Sequence, residues 1–193
     1  MNPDPTRVAP FDANARRDAI LVLGIGNLLW ADEGFGVRAV EALDATWRFP
    51  AQVDLVDGGT QGLALLPYVC AASSLLIFDA VDFGLAPGEI CVVHGDDVPH
   101  LMGAKKVSMH QTGFQEVLAA VQMLREYPQR LALIGVQPAV LDDYGGSLSA
   151  EVKACLPRAT AMAVKMLSSW GVAAEQRATD VGRISSADRL RAL

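Results

Sequence analysis

Short hydrophobic runs alternate with amphipathic segments along most of the chain. Five runs of four to six residues are mostly apolar, which is typical of strands buried on both faces of a parallel sheet. The runs are bounded by glycine, proline or aspartate, the residues that end strands and begin turns. We therefore expect strands at 19–23, 53–56, 75–78, 89–93 and 131–136.

The segments between these runs carry apolar residues at helical spacing. We expect a helix from about Gly34, a short helix over 63–69, and a helix over 113–126 that a capping box at Thr112 would begin. Ser149 can cap a last helix, whose apolar stripe from Val152 to Trp170 predicts core packing. Strands that alternate with helices indicate an α/β sandwich with a mostly parallel sheet.

The ends of the chain differ from its centre. Residues 1–17 are polar and contain prolines, so we expect a disordered leader without the apolar core of a signal peptide. Residues 18–170 predict a single α/β domain, and the polar stretch 171–193 predicts a weakly ordered tail. Because no apolar run approaches the length of a membrane span, we expect a soluble cytoplasmic protein without membrane insertion.

Charge and cysteine content narrow the classes of function. The net charge of −6 argues against a nucleic-acid-binding protein, which needs a basic face to neutralise phosphates. The three cysteines, Cys70, Cys91 and Cys155, are far apart and show no CxxC pairing. They predict buried free thiols in a reducing compartment, and neither a disulfide framework nor a zinc ribbon.

Polar residues that follow the predicted strands are the candidates for chemistry. Parallel sheets bind ligands at the carboxyl ends of their strands, where Glu33, Asp57 and Asp79 come after the first three runs. His110 lies in a polar loop that we predict over 94–112, before a helix, and the topology brings it to the same edge. Carboxylates and an imidazole can bind a divalent metal, or can serve as general acid and base.

Each candidate also has a structural explanation. Asp57 can cap the Gly-Gly turn that follows it, and Glu33 can stabilise a helix N-terminus through the helix dipole. Asp32 is expected to favour the same helix start, and His110 can be a packing residue. Asp79 is the exception, because it ends a wholly apolar strand, where an unpaired charge is unfavourable. We therefore favour a functional role for Asp79.

The stretch Gly24-Ile25-Gly26 resembles the start of a dinucleotide-binding turn, but its surroundings do not fit. The third glycine of that motif is replaced by Leu29, and Glu33 would repel a pyrophosphate at the helix N-terminus. The same carboxylate is favourable if the ligand is a cation. The chain also lacks the HExxH motif of zinc proteases and the GxSxG motif of serine hydrolases.

Five blocks in order, spanning about Ile20 to Trp170, resemble the nickel–iron hydrogenase maturation endopeptidases, in the branch that processes membrane-linked uptake hydrogenases. The resemblance implies a three-layer α/β/α sandwich with a mostly parallel, twisted five-stranded sheet. The blocks are GIGNLLWADEGFGVRAVEAL, VDGGTQGLALLPYV, LLIFDAVDFGLAPGEI, SMHQTGFQEVLA and LIGVQPAVLDDYGGSLS.

The resemblance implies an activity and a set of site residues. Members of the family remove a C-terminal peptide from the hydrogenase large-subunit precursor once that precursor holds nickel. By the matching motifs, Glu33, Asp79 and His110 contact the metal, and Asp57 is implicated in activity. We expect nickel to arrive with the precursor, and we expect Asp57 or Asp79 to activate water unless the metal itself polarises the carbonyl.

Two other classes of function remain possible at this stage. A non-catalytic nickel-sensing chaperone would bind the loaded precursor without releasing a peptide, and a nucleotide-dependent oxidoreductase would bind NAD. We expect a monomer that acts on a much larger substrate. The loop 141–149 is expected to be a helix-capping turn, which we favour over a role in gripping the precursor.

Overall fold

The computed structural model describes residues 18–104 and 109–177, without the side chains of residues 103, 104 and 109–112. The predicted leader at 1–17 and residues 178–193 of the predicted tail lie outside the described residues. Within the described part of the chain, no helix combines the length and apolar character needed to cross a membrane.

A five-stranded sheet forms the centre of the domain, as predicted. The strands are β1 (Ile20–Ile25), β3 (Val53–Gly59), β4 (Ser74–Ala80), β5 (Ile90–His94) and β6 (Arg130–Val136). Their order in the sheet is β3-β1-β4-β6-β5, and only the pairing of β5 with β6 is antiparallel. β1 and β4 are buried along their whole lengths because helices cover both faces of the sheet.

Helices cover the two faces of this sheet and give the expected three layers. α1 (Phe35–Thr46) and α5 (Ala150–Ser169) pack on one face, around a core that includes Phe35, Phe78 and Leu167. α2 (Leu66–Ala71), α3 (Asp97–Ala104) and α4 (Met109–Met123) belong to the other face, with Phe114 and Leu118 in its core.

A loop prediction and the predicted start of one helix were wrong. The predicted polar loop at 94–112 contains α3, and α4 begins at Met109, so Thr112 lies inside the helix instead of capping it. A Thr-x-x-Gln pattern is also compatible with a helix interior, so the pattern alone did not locate the start. At α5 the prediction is confirmed, because the Ser149 hydroxyl accepts a hydrogen bond from Val152 N at 3.4 Å.

A second, two-stranded sheet was not predicted. β2 (Trp47–Arg48) pairs antiparallel with β7 (Glu175–Gln176), directly after α1 and beyond α5. Arg177 then donates hydrogen bonds to the Trp47 carbonyl oxygen at 3.0 Å and to the Asp44 carboxylate at 2.8 Å. Strands of two residues leave no periodicity for sequence analysis to detect.

Candidate functional site

The carboxyl ends of β3, β1 and β4 lie side by side at one edge of the sheet. Gly24 of β1 is in register with Asp57 of β3 on one side and with Phe78 of β4 on the other. Asp79 follows Phe78, and the Gly26 amide donates a hydrogen bond to the Gly59 carbonyl oxygen at 3.0 Å. The register therefore places Asp57 and Asp79 on opposite sides of the end of β1.

Glu33 reaches this edge through a short 3₁₀-helix, Ala31–Gly34, that joins β1 to α1. The Glu33 amide donates to the Trp30 carbonyl oxygen at 2.9 Å, and the Glu33 carbonyl oxygen accepts from the Asn27 amide at 3.2 Å. Gly26 makes this tight return possible, because it has a φ of +141° and a Cβ atom there would overlap the Glu33 carbonyl oxygen. The glycines therefore serve chain packing and do not indicate a nucleotide site.

A second glycine seats the start of α1 on the sheet. A Cβ atom at Gly36 would overlap the carbonyl oxygens of Ile25 and Phe78, so the first turn of α1 lies directly on the ends of β1 and β4. Glu33 is only three residues before Gly36, and Asp79 directly follows Phe78. This close approach brings the Glu33 segment over the end of β4.

Asp79 is completely buried at the end of β4. Its Oδ1 atom is shielded from solvent by the surrounding protein. A carboxylate in this position is unfavourable unless polar groups or a cation compensate for the lost hydration. Asp79 is therefore not a solvated surface residue, and its functional role stays a prediction.

Asp57 is only half-buried, at the end of β3. Partial burial raises the pKa of its carboxyl group above the ordinary value of 3.8, and a hydrogen bond with the Gly59 backbone opposes this rise. Glu41 also raises the pKa and Arg38 lowers it, both from α1. A carboxylate with a raised pKa is a stronger base than an ordinary aspartate.

The two aspartates do not form a close pair. β1 separates their strands, which places their Cα atoms about 10 Å apart at the usual strand spacing. Strand alternation also points them to opposite faces, with Asp57 on the α1 side and Asp79 on the α4 side. Two carboxylates that share one proton, as in aspartic proteases, lie about 3 Å apart. That geometry is absent between Asp57 and Asp79.

His110 lies on α4 and not in a loop, which corrects the prediction of its surroundings. Its side chain is outside the described residues. The start of α4 lies close to the 3₁₀-helix Gly62–Leu65 that follows β3. A Cβ atom at Gly113 would be only 3.4 Å from the Gly62 Cα. The backbone of α4 therefore begins near the same edge of the sheet.

No group of three or more histidine, cysteine, aspartate or glutamate side chains with metal-binding geometry occurs among those the structure describes. The described candidates, Glu33 and Asp79, offer carboxylate oxygens. Together with an imidazole they would form a donor set that suits zinc, nickel or iron, and chemistry alone does not choose among these metals. Three donors also leave coordination positions for groups from a substrate.

Asp32 has a role that the sequence did not reveal. It was expected to favour the start of a helix, but it is completely buried and binds a distant loop. Its Oδ2 accepts hydrogen bonds from the amides of Ala139 and Val140 at 2.8 and 2.9 Å and from the Ser149 hydroxyl at 2.9 Å. Its Oδ1 accepts from the Ser149 amide at 2.7 Å. The Asp32 carboxylate therefore fastens the loop after β6 to the Glu33 segment.

Gln137 fastens a second loop and was also missed. This side chain is buried directly after β6, and its Oε1 accepts from the amides of Phe83 and Leu85 at 2.7 and 3.1 Å. Its Nε2 donates to Asp82 Oδ1 at 3.1 Å. The signal in the sequence was the same as for Asp79, a polar residue directly after an apolar strand.

The loop 141–149 combines the predicted capping role with contacts to the Glu33 segment. Tyr144 forms an isolated antiparallel bridge with Trp30, and their rings meet edge to face at 5.3 Å between centroids. The Gly145 amide donates to the Leu29 carbonyl oxygen at 2.7 Å. The loop therefore contacts the segment between β1 and Glu33 and also caps α5.

Comparison with known proteins identifies a family for this fold and site. The family model described as "Hydrogenase maturation protease" matches residues 37–166. The chain is 58% identical over 158 residues to the hydrogenase expression/formation protein HupD of Thiocapsa roseopersicina, covering 82% of this chain and 72% of that protein. It is 55% identical over 168 residues to HupM of Azotobacter chroococcum mcd 1, covering 87% and 80%.

A solved structure agrees with these sequence relatives. The hydrogenase maturating endopeptidase HybD from E. coli matches with a TM-score of 0.78 and 38% identity. The match covers 82% of this chain and 98% of that protein. The likeness therefore includes nearly the whole relative and most of the residues described here.

Proposed function

The chain belongs to the hydrogenase maturation protease family, and we propose that it removes the C-terminal extension of a nickel-loaded hydrogenase large-subunit precursor. Membership makes the chain a hydrolase of peptide bonds. One observation supports the specific proposal most strongly: the Glu33 segment is seated over the strand end that carries the fully buried Asp79. This arrangement offers carboxylate oxygens to a cation at the edge of the sheet where ligands bind.

In this proposal Glu33, Asp79 and His110 contact the nickel that the precursor carries. Three protein donors leave positions for groups that belong to the precursor itself. A precursor without nickel lacks this anchor, so the enzyme would distinguish the two forms by a difference in affinity. The metal is thus part of the substrate, and the protein binds the metal before cleavage.

Asp57 is proposed as the general base that activates water. The separation of Asp57 from Asp79 argues against a shared proton, so the two carboxylates are assigned different tasks. Asp79 contributes to catalysis by holding the metal-bearing segment in place, and Asp57 takes a proton from water. Because burial raises the pKa of Asp57, its carboxylate accepts a proton more readily than that of an ordinary aspartate.

We further propose that the protein acts as a cytoplasmic monomer. All three cysteines are free in the described structure, but only Cys155 is buried, so the prediction of buried thiols was wrong for Cys70 and Cys91, which are partly buried. Burial raises the pKa of the Cys155 thiol, which lowers its thiolate fraction and its reactivity. Free thiols support a reducing compartment as the place of action.

The test is intact-mass spectrometry of the cognate large-subunit precursor, prepared with and without nickel and mixed with this protein. Loss of a short C-terminal peptide from the nickel-loaded form alone is the expected result. Binding without any loss of mass would instead favour a nickel-sensing chaperone. The Glu33→Gln variant, which keeps the shape of the side chain, should bind the loaded precursor weakly and process it slowly.

A further inference from the structure

Exposed large hydrophobic side chains are concentrated at one edge of the molecule. Of the eight in the described residues, six lie in the loops that follow the carboxyl ends of β1, β3, β4 and β6. The other two, Met123 and Leu124, lie at the end of α4, where the chain turns back towards the start of β6. We call the six the apolar rim: Leu28, Leu29, Leu63, Leu85, Val140 and Tyr144.

The loops that carry the apolar rim are fastened by the buried polar groups described above. Asp32 binds the loop that holds Val140 and Tyr144, and Gln137 binds the amide of Leu85. The Leu29 carbonyl oxygen accepts a hydrogen bond from Gly145. Leu29, Leu85, Val140 and Tyr144 are therefore exposed on a backbone that hydrogen bonds hold in place. Exposed apolar surface of this kind marks sites of interaction with other molecules.

The charge of the same loops is one-sided. Segments 26–34, 57–65, 80–89 and 137–149 contain no lysine, arginine or histidine. They contain seven carboxylate side chains, of which Glu89, Asp142 and Asp143 are exposed. An apolar surface with only negative charges fits a partner that presents apolar side chains together with positive charge.

We propose that the apolar rim binds the polypeptide of the precursor that flanks the scissile bond, a segment with apolar side chains and a net positive charge. This inference rests on the proposed function, because it assigns a docking surface to the same substrate. The rim borders the Glu33 segment, so a chain bound there passes the candidate site. The excess of carboxylates disfavours both a second copy of this acidic chain and an anionic membrane surface.

Three leucines with almost equal exposure allow a matched test. Leu29 and Leu63 of the apolar rim are 54% and 55% exposed, and Leu124 at the opposite edge is 56% exposed. With the nickel-loaded precursor as probe, Leu29→Ser and Leu63→Ser should each raise KM about tenfold, with kcat within about twofold of wild type. Leu124→Ser should keep both constants, and circular dichroism should show the same melting temperature for all three variants.

The charge of the rim has its own matched pair. Asp142→Asn should raise KM about threefold at low ionic strength, and this difference should disappear in high salt, where charge steering is screened. Asp54→Asn removes another exposed charge, from the first half of β3, and should have no effect at any salt concentration.

Three outcomes would overturn the docking proposal or the proposed function on which it rests. Equal KM values for the Leu29, Leu63 and Leu124 variants, with an active wild-type protein, would reject the docking surface and leave the protease function intact. A wild-type dimer in sedimentation velocity that Leu29→Ser dissociates would assign the rim to self-association. A wild-type protein that never cleaves the loaded precursor would reject the proposed function itself.

Discussion

The two edges of the central sheet use their polar residues differently. At the amino edge, polar groups bind one another: the Arg130 guanidinium donates to Ser74 Oγ and to the Trp170 carbonyl oxygen and lies over the Trp170 ring. Ser73 Oγ donates to the Ala19 carbonyl oxygen. At the carboxyl edge, all the charged side chains of the described loops are carboxylates, so their charges cannot neutralise one another.

This difference separates stability from function. At the amino edge, the Arg130 guanidinium is hydrogen-bonded to acceptors within the fold, so its presence there is explained without a ligand. The carboxyl edge contains a buried Asp79, a half-buried Asp57 with a raised pKa, and exposed apolar side chains, and such a combination favours a role in binding. Asp32 belongs to both categories, because it stabilises the fold by shaping the carboxyl edge.

The largest effect should come from Asp79. Asp79→Asn keeps the shape of the side chain but removes the charge, so we expect processing of the nickel-loaded precursor to fall to about a thousandth of the wild-type rate or less. Peptide release, followed by intact-mass spectrometry, measures this rate, and circular dichroism checks the fold. Asp54→Asn is the control at the other end of a strand, and wild-type processing by the Asp79 variant would remove Asp79 from the site.

Asp57 should separate activity from stability. As the general base, Asp57→Asn should lose about 100-fold in kcat. Because the pKa of Asp57 is raised above 3.8, the folded protein holds this proton more tightly than the unfolded chain does. Its contribution to stability is therefore complete below pH 3.8 and is lost as the pH rises through the raised pKa.

The variant lacks this titration, so its urea midpoint relative to wild type should be higher at pH 7 than below pH 3.8. Urea unfolding at both pH values, beside the processing assay at pH 7, gives the two readouts. Full turnover by Asp57→Asn would exclude Asp57 as the base, whatever the unfolding data show.

Asp32 lies at the carboxyl edge, but its substitution should lower the stability of the fold. In Asp32→Asn one oxygen becomes an NH₂ group, so either the Ser149 amide or the three donors on the other oxygen lose their acceptor. We expect a loss of about 3 kcal/mol in the free energy of unfolding, measured by urea denaturation. Unchanged stability would show that the carboxylate does not fasten the loop.

The smallest effect should come from the amino edge. Arg130→Lys loses the planar fork that contacts Ser74, Trp170 and the aromatic ring together, and should cost about 1 kcal/mol of stability. Processing by this variant should match wild type at temperatures where both are folded. A lower kcat or a higher KM for Arg130→Lys would break the separation between the two edges.

The strands and their order of appearance could be predicted because each contains an apolar run, and β1 and β4 are buried along their whole lengths. The same reasoning predicted that polar residues after those runs would share one edge, and Asp57 and Asp79 do lie beside the end of β1. The start of α4 could not be predicted, because a capping pattern describes a helix interior equally well. The roles of Asp57, Asp79 and His110 remain predictions.

The sequence by itself determined the layered α/β fold, through the periodicity of its apolar residues, and the family, through blocks of residues in a specific order. Only the tertiary structure decided what neighbouring carboxylates do. Asp32 and Glu33 are adjacent in the chain, yet Asp32 is completely buried. The donors that hydrogen-bond to the Asp32 carboxylate belong to residues 107 or more positions away. Contacts at such separation depend on the folded topology, which no local pattern contains.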